Sequence, residues 1–270
     1  MSATVAATRE NAGRAPSPTG TAASMFIREL LRRWPTLVFM IFMPLSYFVV
    51  SYLTSDGTTR VPVDLADDGG GSALTVLDRD FKALYLAVLG ISVTSSFAAL
   101  TSVLDSTAVM RRLRLIGFRS GQLLSARLMV LGIITIVSTA VFLAVFAPLV
   151  HLESLLLAGV GLLLVGLLGV ALGTVIGLLL PRLFEAAMIL IAVAGIQMAL
   201  GRGGSDAERY LPYWPTVEAL KRASVEPEGA APYLLLATAY IVGLLVVAGI
   251  VWKLRTRVYP STSRTDSDSG

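Results

Sequence analysis

The sequence predicts an all-α integral membrane protein with six transmembrane helices. Hydrophobic residues make up 55% of the 270 residues, charged residues make up only 15%, and the mean hydropathy is +0.75. A soluble domain carries about 25% charged residues, so an aqueous core does not account for this composition. The apolar residues also fall into runs of about 16–26 residues, the length of helix that crosses roughly 30 Å of hydrocarbon.

Six spans follow from these apolar runs. They are predicted at residues 35–54, 83–104, 124–147, 155–180, 185–200 and 233–253. Together they form a transmembrane domain of residues 35–254, in which Pro44 is expected to kink the first span. Residues 1–23 and 255–270 are predicted to be polar cytoplasmic tails. Residues 1–23 lack the apolar core of a secretory signal peptide and are expected to be disordered.

Residues 24–34 are predicted to form an amphipathic helix in the membrane interface. Ser24 is a suitable N-cap, and one face carries an apolar stripe of Ile27, Leu30, Leu31 and Trp34. Basic residues occupy the other face, as in helices that lie in the interface plane. The alternative is that these residues are the first turns of a long first span. Pro35, which suits a helix start, favours a break.

The basic residues predict the orientation. Lys and Arg are enriched in cytoplasmic loops, and with the N-terminus inside, the cytoplasmic segments hold 15 of the 22 basic residues. Both termini are therefore expected in the cytoplasm, in a multi-pass protein of the plasma (inner) membrane. The basic charge is explained by topology, so no nucleic-acid partner is expected.

The sequence lacks the common signatures of catalysis and metal binding. It has no cysteine and a single histidine, His151. No ionisable residue lies in the middle of a predicted span, which argues against a proton-coupled transporter. The hydrolase motifs H-E-x-x-H and G-x-S-x-G and the P-loop motif are absent. We therefore expect no catalytic residue, metal site or cofactor in this chain. If ATP drives the protein, another chain binds it.

A basic segment joins the second and third spans. Within residues 105–127 the arginines Arg111, Arg112, Arg114 and Arg119 alternate with the apolar residues Leu113, Leu115, Ile116 and Phe118. A short helix of this kind, followed by Gly117, fits a groove in a cytoplasmic partner. The alternative is a basic loop that only sets topology, with its apolar residues against lipid headgroups.

Two further segments carry information. The fourth span holds Gly169, Gly173 and Gly177 in a G-x-x-x-G-x-x-x-G pattern, which permits close helix packing. We expect packing within the chain, and the alternatives are a dimer contact or a hinge. The predicted fifth span of 16 residues rises only about 24 Å, so part of 201–224 is expected to enter the outer leaflet; a solvated loop is the alternative. Tyr210 and Trp214 suit the outer interface.

Taken in order, these segments resemble the permeases of type 2 ATP-binding-cassette (ABC) exporters. The stretch M-R-R-L-R-L-I-G-F-R-S-G-Q-L-L-S-A-R, residues 110–127, is similar to the family's loop between spans two and three. The amphipathic helix with Pro35 and Pro44 resembles its connecting helix and first span. The stretch L-P-Y-W-P-T-V-E-A-L-K, residues 211–221, resembles the segment before its last span, and it includes Pro212, Trp214 and Pro215.

This resemblance implies a function and partners. It implies a coupling helix within 105–123, formed by Arg111, Arg112, Arg114, Leu115, Ile116, Gly117, Phe118 and Arg119. That helix would dock on a separate ABC ATPase, present in two copies, which binds ATP and magnesium. It also implies a second permease copy, identical or related, and export of a drug, lipid, glycan or similar substrate by alternating access. The alternatives are an ATP-independent channel, receptor or anchor, and a membrane-embedded enzyme.

Overall fold

The computed structural model describes residues 20, 24–28, 32, 34–63, 74–105, 120–150, 152–200 and 206–255. Its longer helices are α1 (Trp34–Thr54), α2 (Asp78–Asp105), α3 (Ser120–Phe146), α4 (Leu155–Leu179), α5 (Leu183–Leu200), α6 (Trp214–Val225) and α7 (Ala231–Arg255). Two strands, β1 (Arg60–Val63) and β2 (Leu74–Leu77), precede α2. Two short 3-10 turns, Asp206–Tyr210 and Pro227–Gly229, flank α6.

Four helical stretches in the described ranges are long and apolar enough to cross a membrane. They are Asp78–Asp105, Gly121–Phe146, Leu155–Leu179 and Pro227–Arg255. The apolar parts of α1 and α5, Ile41–Thr54 and Leu183–Gln197, are shorter. Each of the six predicted spans overlaps one of these helices, and four of the helices are long and apolar enough to cross a membrane. The chain is therefore a multi-pass, α-helical membrane protein.

Helix α2 is the centre of the bundle. It packs most extensively against α4, and then against α1 and α5. Buried residues occupy most of its circumference, as Leu84, Ala87, Ser92 and Leu100 show. A helix that is apolar or buried all round belongs inside a bundle. In contrast, α3 and α7 expose large apolar side chains such as Ile136 and Val246.

The start of α2 differs from the prediction for a physical reason. Hydropathy places the start of this span at Ala83, whereas the helix begins at Asp78. Asp78 and Asp80 lie in its first turn, where carboxylates interact favourably with the positive end of the helix dipole. Lys82 also forms an ion pair with Asp78 one turn away. These charged residues extend the helix beyond its apolar part.

The predicted polar loop at 55–82 contains a β-hairpin. Strands β1 and β2 pair antiparallel, with Arg60 opposite Leu77 and Val63 opposite Leu74. β-branched residues such as Thr75 and Val76 favour this extended structure. The hairpin lies next to the start of α2, where the amide of Asp78 donates to the carbonyl oxygen of Thr59 at 2.9 Å. It is the one part of the described structure that the all-α prediction left out.

The N-terminal helical residues contact the bundle through a residue outside the predicted stripe. Phe26 is buried, in a cluster with Leu123 and Trp252. The guanidinium carbon of Arg127 lies over the ring of Phe26, 5.1 Å from the ring centre. The stripe residues Ile27 and Trp34 are exposed, while Leu30 and Leu31 lie outside the described residues. The side of this segment that faces the bundle is therefore offset from the predicted stripe, because Phe26 packs against the start of α3 and the end of α7.

Candidate functional site at the junction of α2, α4 and α6

The predicted glycine pattern forms a close contact between two helices of the same chain. A Cβ at Gly169 would lie 2.7 Å from the carbonyl oxygen of Ser92 on α2, and a Cβ at Gly173 would overlap the carbonyl oxygen of Ser96. Gly177 faces the side chains of Leu100 and Val103. The absence of side chains lets the two backbones approach, which strengthens van der Waals contact in a membrane. We refer to this contact as the α2–α4 seam.

Helix α6 lies within the bundle. Every residue from Pro215 to Ala223 is buried. Proline suits the first turn, where its missing amide is not needed. The segment 215–223 is therefore packed against the helical bundle.

Two contacts locate the two ends of α6 within the helical bundle. Just before α6, the hydroxyl of Tyr213 lies 3.3 Å from that of Ser96. Ser96 lies roughly 27 Å along the axis of α2 from the first residue of that helix. Near the other end of α6, the amide of Ser154 donates to the carbonyl oxygen of Ala223 at 3.2 Å. Ser154 caps the start of α4. Helix α6 therefore runs from the interior of the bundle to the end that carries the hairpin.

Helix α6 also carries buried charges. Nζ of Lys221 lies 3.4 Å from Glu218 and 3.9 Å from Glu208, and Nε of Arg222 lies 3.6 Å from Glu218. All four side chains are at most 8% exposed. Two carboxylates and two cations balance one another, as burial requires. Burial raises the pKa of the Glu208 carboxyl above its ordinary value, and Lys221 partly opposes that shift.

The sequence did not predict this charged cluster. Its residues fall within 201–232, between the fifth and sixth predicted spans, where charges are unremarkable. The available signal was the spacing of Glu218, Lys221 and Arg222, at i, i+3 and i+4, which puts opposite charges on one helix face. The local sequence gives no signal that Glu208 joins this cluster, because its position depends on the fold of the segment before α6.

The predicted outer-leaflet residues have different surroundings. Tyr210 is exposed, whereas Pro215 is buried at the start of α6. The ring of Trp214 meets that of Tyr233 edge to face, with 5.6 Å between centres. Pro212 is partly exposed in the turn before α6. Trp214 and Pro215 therefore contribute to the packing of α6.

Most polar residues of the spans bond to their own helix. The hydroxyls of Ser92, Thr94 and Thr135 donate to the carbonyl oxygens of Leu89, Gly90 and Leu131 at 3.0, 2.6 and 2.9 Å. Such bonds satisfy a hydroxyl in an apolar environment without a ligand. The hydroxyl of Ser96 lies 3.3 Å from that of Tyr213 on another segment.

The predicted coupling residues lie outside the described ranges. They are Arg111, Arg112, Arg114, Leu115, Ile116, Gly117, Phe118 and Arg119. The described helices on either side end and begin at Asp105 and Ser120. Across the part of the chain that is described, no group of three or more His, Asp or Glu residues is placed to hold a metal ion.

Comparison with known protein families identifies the family of the chain. The sequence profile of the ABC-2 type transporter family matches residues 21–216, well over half of the 270 residues. The match extends from the N-terminal helical residues to the first turn of α6. Comparison with curated proteins finds no match. Membrane domains of this family associate with an ABC ATPase. The protein therefore belongs to the ABC-2 type transporter family, as the permease subunit of an ABC transporter.

Proposed function

We propose that the chain is the permease of an ATP-driven exporter in the plasma (inner) membrane. It crosses the membrane six times, with both termini in the cytoplasm, and it pairs with a second identical or related permease. A separate ABC ATPase in two copies binds ATP and magnesium and drives alternating access. The observation that carries this proposal is the match to the ABC-2 type transporter family over residues 21–216. The resemblance of 110–127 to exporter permeases supports the outward direction.

The α2–α4 seam supports a mechanical role for the basic segment. Helix α2 ends at Asp105, immediately before the arginine-rich stretch that resembles a coupling helix. Because Gly169 and Gly173 bring the α2 and α4 backbones into contact, displacement of α2 also displaces α4. A movement of the ATPase at residues 106–119 would then reach the two helices at the centre of the bundle together.

The exposed face of α5 supports a second permease copy. Phe184 and Ile191 are 76% and 57% exposed, and no atom would lie within 4 Å of a Cβ at Gly195. In a membrane, a face of this kind is covered by lipid or by another helix. A glycine there permits a close approach of a partner helix.

The test is co-purification with the ABC ATPase that accompanies the chain in its native membrane. Replacing Phe118→Ala together with Arg119→Glu removes an apolar residue and reverses a charge in the expected coupling helix. We expect loss of the ATPase with normal membrane insertion. Arg182→Glu, an exposed arginine between α4 and α5, is the control and should retain the ATPase. Retention by the double variant would show that the basic segment acts only on topology.

A further inference from the structure

A cavity of 470 Å³ lies at the end of the bundle opposite the basic segment. It is enclosed by the hairpin, the start of α2, the connection between α3 and α4, and the end of α6. Apolar side chains, among them Phe81, Leu84 and Val150, form much of its wall. Ligand sites in proteins have volumes of about 300–1,000 Å³ and combine apolar walls with a few polar groups. The cavity therefore has the size and lining of a small-molecule site.

Two of the charged groups in the lining are engaged by the protein itself. The ammonium of Lys221 lies between Glu218 and Glu208 at 3.4 and 3.9 Å. The carboxylate of Asp80 lies 3.9 Å from Nε of Arg79. These groups are therefore balanced by neighbours and add no net charge to the cavity.

Among the described residues of the lining, the other two charged groups are Arg60 on β1 and Glu153 before α4. Both side chains are exposed. Within the described ranges, neither is within ion-pair distance of an opposite charge, so they do not neutralise each other. Its described lining therefore presents one unpaired cation and one unpaired anion on separate elements, together with apolar side chains.

We propose that this cavity binds a zwitterionic amphiphile. A phosphate or carboxylate of the ligand pairs with Arg60, its ammonium group pairs with Glu153, and its apolar part packs against Phe81, Leu84 and Val150. A purely anionic ligand would bring like charge to Glu153, and a purely cationic one would bring it to Arg60. A lysophospholipid and a soluble zwitterion share this chemistry. The site requires no ATP and no partner, so it stands apart from the proposed export.

The test is binding to the purified full-length chain in a nonionic detergent, measured by isothermal titration calorimetry. The probes are lysophosphatidylethanolamine, the anionic lysophosphatidylglycerol and the cationic dodecyltrimethylammonium. We expect the zwitterion to bind at least tenfold more tightly than either singly charged probe. Equal affinity for all three, or no binding of the zwitterion, would overturn the proposal.

Charge reversal locates the site. Arg60→Glu should weaken zwitterion binding at least tenfold and strengthen binding of the cationic probe, and Glu153→Lys should shift the preference to the anionic probe. Arg209→Glu and Glu228→Lys change exposed charges outside the cavity lining and should leave all affinities unchanged. If the two cavity variants behave like these controls, the assignment of this cavity is wrong.

Binding of the headgroup without its acyl chain distinguishes a lipid ligand from a soluble one. Glycerophosphoethanolamine carries the same phosphate and ammonium groups without an acyl chain. Binding as tight as that of lysophosphatidylethanolamine would support a soluble zwitterion. A loss of tenfold or more would support a lipid, whose chain then contacts Phe81 and Leu84.

Discussion

The hydroxyl of Tyr213 lies 3.3 Å from the hydroxyl of Ser96, 117 residues earlier in the chain. Ser96 is also the residue whose backbone meets Gly173 of α4. One point on α2 therefore contacts both α4 and the segment that leads into α6. This point connects the α2–α4 seam with α6, so its disruption should affect both.

Removal of the Tyr213 side chain is expected to destabilise the protein strongly. Tyr213→Ala leaves a cavity next to Ser96. Truncation of a buried aromatic side chain lowers the free energy of unfolding by about 3–5 kcal/mol. Tyr213→Phe removes only the hydroxyl and should cost about 1 kcal/mol. Thermal unfolding in detergent measures both effects. Tyr210→Ala is the control, since Tyr210 is 87% exposed. If Tyr213→Ala and Tyr210→Ala unfold alike, the packing assigned to this segment is incorrect.

The α2–α4 seam should not tolerate a bulky side chain. Gly173→Leu must displace the backbone of Ser96 and forfeit contacts worth about 0.1–0.2 kcal/mol per atom pair. We expect a lower melting temperature of the monomer in detergent. Gly132→Leu is the matched control, because a Cβ there meets no atom within 4 Å. Dimer loss with unchanged monomer melting would instead place Gly173 at a subunit interface.

Loss of a carboxylate from the buried charged cluster should strongly destabilise the folded protein. Glu218→Gln removes the charge that faces both Lys221 and Arg222. Breaking a buried pair by removing one partner costs about 3–5 kcal/mol, because an uncompensated charge stays buried. Thermal unfolding or yield of folded protein reports the effect. Glu228→Gln, at an exposed position, should behave as wild type. A small effect of Glu218→Gln would indicate that water reaches the cluster.

The raised pKa of Glu208 predicts a pH dependence. Because burial raises this pKa in the folded state, folded protein binds more protons than unfolded protein between the ordinary and the raised value. The free energy of unfolding therefore falls as the pH rises through that window. Glu208→Gln should remove this slope, while Glu228→Gln should keep it. Melting temperature measured against pH in detergent checks the difference. Parallel curves for wild type and Glu208→Gln would contradict the assignment.

The proposed orientation predicts the labelling of single cysteines. The chain has no native cysteine, so each introduced thiol is the only target. Asp68→Cys and Glu228→Cys should react with an impermeant thiol reagent added to intact cells. Ser120→Cys should react only after the membrane is permeabilised, which also serves as its control. Labelling of Ser120→Cys in intact cells would reverse the orientation.

Local chemistry explains why the helices were predictable. A span must satisfy its own backbone hydrogen bonds and present apolar side chains to lipid, so each one leaves a long apolar run in the sequence. That requirement located α3 and α4 to within a few residues. The pattern of Gly169, Gly173 and Gly177 likewise indicated a close contact, because such spacing puts all three on one face.

Tertiary structure decided what has no local signature. The neighbour of Gly173, the burial of α6 and the pairing of Glu208 with Lys221 all depend on residues far apart in the sequence. Hydropathy averages over neighbours along the chain, so it reads Glu218, Lys221 and Arg222 as part of a solvated loop. Their burial follows from the contacts of Tyr213 with Ser96 and of Ala223 with Ser154, which draw α6 into the bundle. The sequence by itself determined the membrane class and the positions of the apolar helices, and long-range packing determined which polar residues lie inside.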